Sequence, residues 1–155
     1  MEESVVPEVT VMVPTVGDPN LIVPCVQRLL EATTVEGWNL LVVINPVQKF
    51  ASSVGLIKQQ IEAAISVFNT ATNGSVSLDI LELDGPKGWA GAVNSGVQFL
   101  LQNNMPECVA IMNDDVLVTP GWLARMGNSL EPSKIILQGE VGTFGDEAPT
   151  RSAEL

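Results

Sequence analysis

Short apolar runs alternate with longer amphipathic stretches along this chain. Val9-Thr-Val-Met-Val13 is apolar and β-branched and stops at Pro14, which predicts a buried strand. Gly17-Asp18-Pro19 follows. Asp18 suits a helix cap, and Pro19 suits the first helical position. Leu21, Ile22, Cys25, Val26, Leu29 and Leu30 then recur at helical spacing and fade near Thr33. Pro24 disturbs that pattern and predicts either a later start or a distorted first turn.

Leu40-Leu-Val-Val-Ile44, closed by Asn45-Pro46, reads as a second strand. Val54, Ile57, Ile61, Ala64, Ile65 and Phe68 form one helical stripe, with Lys58, Gln59, Gln60 and Glu62 beside it. Asn73-Gly74 marks a turn. Val76 to Leu83 alternates, as a partly covered third strand would. Trp89 to Leu101 is helical, with Ala92, Val93, Gly96, Val97 and Leu100 on the close-packing side. Cys108-Val-Ala-Ile-Met112 is a fourth strand ending in Asn113-Asp114-Asp115. Thr119 is placed to cap a short helix opening at Pro120, and Ile135 to Leu137 suggests one more strand.

Strands thus alternate with helices. That order predicts a three-layer α/β domain with a mostly parallel sheet, and its ligand at the carboxyl ends of the strands. Those ends are Pro14-Thr15, Asn45-Pro46, Asp84-Gly85 and Asn113-Asp114-Asp115.

Composition narrows the chemistry. The 155 residues are 46% hydrophobic and 16% charged, enough apolar area for one domain core and unlike a disordered chain. Mean hydropathy is +0.29, yet no apolar run nears the roughly 20 residues that span a bilayer. Seven basic residues face 18 acidic ones, for a formal charge of −11. No Lys or Arg cluster exists to meet nucleic acid or anionic lipid. Histidine and tyrosine are absent, which excludes His-based triads and His metal sites. The opening Met1-Glu-Glu-Ser has no basic n-region, and Cys25 and Cys108 read as buried thiols. Both features set the expectation of a cytoplasmic protein.

What remains is carboxylate, amide, hydroxyl and backbone N–H chemistry. Asp114 and Asp115 directly follow a strand. They either cap a turn or hold a divalent cation whose open positions take phosphate. Gly85-Pro-Lys-Gly88-Trp-Ala-Gly91-Ala-Val-Asn94-Ser-Gly96 lacks the ending of a Walker loop and comes too late for a Rossmann fingerprint. Lys87 is either a phosphate partner or an exposed loop lysine, and Asn94 is expected to fix the loop or touch ligand. Thr15 and Asn45 are candidates for a base or ribose, or simple turn residues. Trp122 is expected to bury against the sheet, with Trp89 and Trp38 weaker candidates for a ligand contact.

Several of these segments resemble the large inverting glycosyltransferase family 2, which includes bacterial rhamnosyl- and galactofuranosyltransferases. Val9 to Thr15 and Leu40 to Asn45 resemble its first two strands. Gly88 to Gly96 is similar to its glycine, alanine and asparagine stretch. Val109 to Val116 with Pro120-Gly121-Trp122-Leu123 resembles its Asp-x-Asp-like metal motif and the segment after it. Gly139 to Gly145 is similar to a later glycine-rich stretch.

The resemblance implies a GT-A-like nucleotide-diphospho-sugar-binding domain over residues 8–145, with a loose tail over 146–155. It implies a UDP- or dTDP-type nucleoside diphosphate sugar as donor, Mg²⁺ or Mn²⁺, and a carbohydrate or glycolipid acceptor. By position, Pro14 and Thr15 would lie near base and ribose, and Asp114 near ribose or sugar. Asp115 would bind the metal, and Gly88 to Asn94 would shape the donor pocket. Family members usually carry Asp after the second strand, where this chain has Ile44 or Asn45.

The acceptor half with its general base is not recognisable, and Asp146 and Glu147 are weak substitutes. No catalytic residue is therefore assigned, and the fold is expected to be truncated. Three readings follow. One is the donor-binding part of an inverting transferase. Another is a non-catalytic nucleotide-sugar-binding or assembly module acting as a homo-oligomer or with a partner chain. The third and least matched is a nucleotidyltransferase.

Overall fold

Four β-branched or apolar segments pair side by side and leave the amphipathic segments to cover the sheet. The computed structural model describes residues 8–33 and 37–129. The strands are β1 (Val9–Thr15), β2 (Asn39–Ile44), β3 (Ser77–Glu82) and β4 (Cys108–Ile111). They form one parallel sheet in the order β3-β2-β1-β4. Helices α1 (Pro19–Ala32), α2 (Val54–Thr72), α3 (Gly88–Gln102) and α4 (Trp122–Ser129) connect or follow them. A 3₁₀ segment over Gln48–Ser53 leads into α2 and was not anticipated. The expected strand over Ile135 to Leu137, the Gly139–Gly145 stretch, Asp146, Glu147 and the tail lie outside the described residues.

Side-chain alternation sorts the sheet into two faces. Val9, Val11 and Val13 of β1 and Leu40, Val42 and Ile44 of β2 point to one core cluster. There they meet Cys25, Val26 and Leu29 of α1, Ile57 and Ile61 of α2, and Trp122 of α4. Met12, Leu41 and Val43 point the other way, to Ala92 and Leu100 of α3. Burial of an isoleucine such as Ile57 or Ile61, both 0% exposed, is worth roughly 1.5–3 kcal/mol. The expected three-layer arrangement is therefore present, with α3 the helix on one face among the described residues.

Local chemistry explains the boundaries. Asp18 caps α1, its side chain accepting from Asn20 N–H at 3.0 Å, and Pro19 opens the helix. Pro24 stays inside α1 without delaying its start, since it forfeits only one ladder bond near the beginning. α2 ends on left-handed Asn73 (φ 50°), and Asn69 then clasps Val76 through both its amide atoms. α4 begins at Trp122, two residues later than the sequence suggests. The Thr119 hydroxyl accepts from the Arg125 guanidinium, so only the Thr119 carbonyl serves the helix start, through Trp122 N–H. Among the described residues no helix is long and apolar enough to cross a membrane.

Candidate functional site

The strand order decides where a ligand can sit. From β1 the chain winds outward through β2 and β3 on one side, then returns by α3 to place β4 on the other side of β1. The crevice at the carboxyl ends of β1 and β4 is the switch point of this winding.

Thr15 and Asp114 meet across that crevice. The Thr15 hydroxyl donates to Asp114 Oδ2 at 2.7 Å and accepts from Gly17 N–H at 3.2 Å. Thr15 is buried, so its hydroxyl joins the β1–α1 turn to the carboxylate. Several bonds strap the segment after β4 to the rest of the domain. Met112 N–H donates to Met12 O at 3.1 Å, extending the β1–β4 ladder by one bond. The Cys25 thiol reaches Asn113 O at 3.9 Å, and Arg28 Nε donates to Val118 O at 2.8 Å. Trp122 Nε1 donates to Thr33 Oγ1 at 2.9 Å. Trp122 is thus buried, as expected, and so is Trp38.

Electrostatics mark the same place. Burial pushes the Asp114 carboxyl above its usual range; Asp115 and Asp18 push the same way, and the Thr15 hydrogen bond opposes them. Burial, followed by Asp114 and Asp115, pushes the Cys25 thiol up to about 12. Cys25 is an inert packing group beneath the carboxylates. Both cysteines are free; Cys25 is buried as expected, whereas Cys108 is only half-buried because it lies on β4 at the sheet edge.

An Asp114→Asn substitution keeps the shape and removes a charge that is costly to hold there. The variant should melt no lower than wild type at neutral pH. Thermal melts side by side check this; a variant that melts several degrees lower would mean that the charge supports the fold.

A second group lies at the end of β2. Asn45 is 4% exposed, and its backbone N–H donates to Thr15 O at 2.8 Å. Its side-chain Oδ1 accepts from Lys87 N–H at 2.8 Å, and its Nδ2 donates to Gly88 O at 3.2 Å. The amide expected to reach a base is thus directed at the loop before α3. That loop needs glycine, since Gly85 and Gly88 have φ of 128° and 70°. Lys87 is exposed, and its ammonium forms no ion pair among the described residues.

A third contact was barely legible in sequence. Trp89 Nε1 donates to Asn113 Oδ1 at 2.9 Å, bridging the start of α3 to the end of β4. Only its place in a glycine-rich stretch hinted at this role.

The structure brings Thr15 and Asp114 together and sets Asn45 against Lys87 and Gly88. Pro14 is buried in β1, in register with Val43, and Asp115 is exposed beside Asp114. Asn94 stands apart. It is exposed and lines a groove of about 330 Å³ with Leu81, Leu83 and Phe99. Among the described residues no three His, Cys, Asp or Glu side chains gather to hold a metal ion. Asp114 and Asp115 are neighbours in sequence but do not make such a group.

No protein-family model matches the chain, and no curated protein matches it. Solved structures do. A mannosyltransferase, PcManGT from Pyrobaculum calidifontis, solved in complex with GDP-Man and Mn²⁺, superposes with a TM-score of 0.57 and 22% identity, covering 86% of this chain and 37% of that one. TarS from S. aureus superposes with a TM-score of 0.51 and 15% identity, covering 78% of this chain and 19% of that one. This chain therefore spans well under half the length of either. The likeness establishes the fold: a mostly parallel α/β sheet flanked by helices, with GT-A-like Rossmann topology.

Proposed function

We propose that this domain is a nucleotide-sugar-binding module of GT-A fold, taking a nucleoside diphosphate sugar at the carboxyl ends of β1 and β4. The observation that carries the reading is the Asp114 carboxylate, held by Thr15 across the switch point with Asp115 exposed beside it. Ligand phosphates would approach a chain of net charge −11, so a divalent cation has to offset the repulsion. Asp115 would hold Mg²⁺ or Mn²⁺ together with the diphosphate. Asn45 would keep the Lys87–Gly88 loop in the shape the donor meets, and Lys87 would offer its ammonium to phosphate. The GDP-Man and Mn²⁺ bound to the Pyrobaculum mannosyltransferase support the choice of ligand class.

Sugar transfer is the second reading, favoured by the same likeness. It requires an acceptor hydroxyl to lose its proton to a base while its oxygen attacks the anomeric carbon and the bond to the diphosphate breaks. No described residue is assigned as that base. A carbohydrate or glycolipid acceptor, and a second copy or partner chain, belong to this reading.

Calorimetric titration with UDP, dTDP and GDP, with and without Mn²⁺, tests the proposal. Wild type should bind at least one nucleotide in a Mn²⁺-dependent way. Asp115→Ala should weaken that binding at least tenfold, about 1.4 kcal/mol or more. A folded wild-type protein that binds none of them overturns the reading.

A further inference from the structure

We infer that Trp89 is the stacking platform for the nucleobase of the bound nucleotide, an assignment that rests on the reading above. Trp89 is the second residue of α3 and is 57% exposed, an unusual position for an indole in a domain whose other tryptophans are 1% and 9% exposed. Its N–H is already satisfied by Asn113 Oδ1. That bond tethers the indole nitrogen to the end of β4 while more than half of the residue stays open to solvent. A large exposed aromatic gains by covering its ring with another flat ring.

The surroundings favour a base over other partners. Asn113 and Asp114 are consecutive, and each is anchored to a different element. Asn113 is held by Trp89 from α3, and Asp114 by Thr15 at the end of β1. The indole and the Thr15 hydroxyl thus bond to consecutive residues just after β4, the strand whose carboxyl end borders the switch point. A ligand with a flat aromatic end and an anionic, cation-bridged end spans such a pair, and a nucleotide has both. Lys87, two residues before Trp89, adds a cation on the same approach.

Stacking of a base on an aromatic residue is sequence-tolerant and is lost on truncation to alanine. Trp89→Ala should weaken Mn²⁺-dependent UDP or GDP binding by roughly tenfold, the size of one such stack. It should leave binding of Mn²⁺-pyrophosphate, which has no base, unchanged. Trp89→Phe loses the hydrogen bond to Asn113 but keeps a ring, and should recover most of the affinity. Wild-type tryptophan fluorescence should be quenched on titration with nucleotide, and Trp89→Phe should abolish that signal, because Trp38 and Trp122 are buried.

Four results separate the possibilities. Wild type that binds pyrophosphate but no nucleotide, or nothing at all, overturns the nucleotide reading and this inference with it. Wild type that binds nucleotide equally well as Trp89→Ala leaves the first standing and removes the second. Equal loss of pyrophosphate and nucleotide binding in Trp89→Ala would assign Trp89 to positioning Asn113, not to stacking. Loss seen only with a nucleotide sugar, and not with the bare nucleotide, would put the sugar ring on the indole and overturn the base assignment.

Discussion

A Gly96→Val variant should lose on the order of 1–3 kcal/mol of stability, read as a lower urea midpoint at unchanged slope. Gly96 is buried in the face of α3 that lies on the sheet. A Cβ there would stand 2.8 Å from Met12 Sδ, 2.9 Å from Met12 Cε and 3.1 Å from Val43 Cγ2. Met12 and Val43 are both 0% exposed, so the methionine tip can make room only by repacking within the core. Packing therefore opposes helix propensity. An ordinary Gly-to-Ala change inside a helix gains roughly 0.5–1 kcal/mol. Gly96→Ala should forfeit that gain. Gly55→Ala in α2, where an added Cβ meets nothing within 4 Å, should retain part of it. Wild-type stability in Gly96→Val would mean that α3 does not sit on Met12 and Val43 as described.

Asn45 carries the second large effect, on ligand binding and stability together. Asn45→Ala removes the acceptor of Lys87 N–H and the donor to Gly88 O, the two side-chain bonds that pin the loop to β2. The expected cost is about 1–3 kcal/mol, at the lower end because Lys87 and Gly88 are exposed and water can replace part of the bonding. Nucleotide affinity should fall at least tenfold as the loop loosens. Asn45→Asp is the sharper probe. A carboxylate keeps the bond from Lys87 N–H but faces the Gly88 carbonyl with an oxygen where a donor stood. It also buries a charge at a position 4% exposed. Asn45→Asp should therefore be at least as destabilised as Asn45→Ala, although aspartate is usual after the second strand of the family the sequence resembles. Nucleotide binding as strong in Asn45→Asp as in wild type would mean that this residue reads the base, not the loop.

That contrast shows where sequence reading reached its limit. An Asn directly after a buried strand advertises a polar group at a ligand-bearing edge. Its spacing cannot say whether the amide faces a ligand or a loop more than 40 residues away. Asn94 shows the same limit from the other side. A polar residue in an apolar helix pattern looks purposeful, yet it stands exposed beside Leu81 and Leu83, away from the carboxylates. For Trp89, nothing in the neighbouring sequence distinguishes an anchored indole from a merely exposed one.

The sequence by itself determined the element order, the parallel sheet and the strand ends at which chemistry collects. Those follow from local periodicity, from Pro and Gly punctuation, and from the rule that parallel strands need helical crossovers. It also limited the chemistry to carboxylates, amides and hydroxyls, since a chain without histidine or tyrosine has few other polar groups to spend. Only the tertiary structure decided which strand ends face each other. Thr15 and Asp114 are 99 positions apart and meet because β4 pairs with β1 and not with β3. Strand order is a choice among non-local pairings, and it is set by the packing of whole helices on whole faces, which no local window of residues encodes.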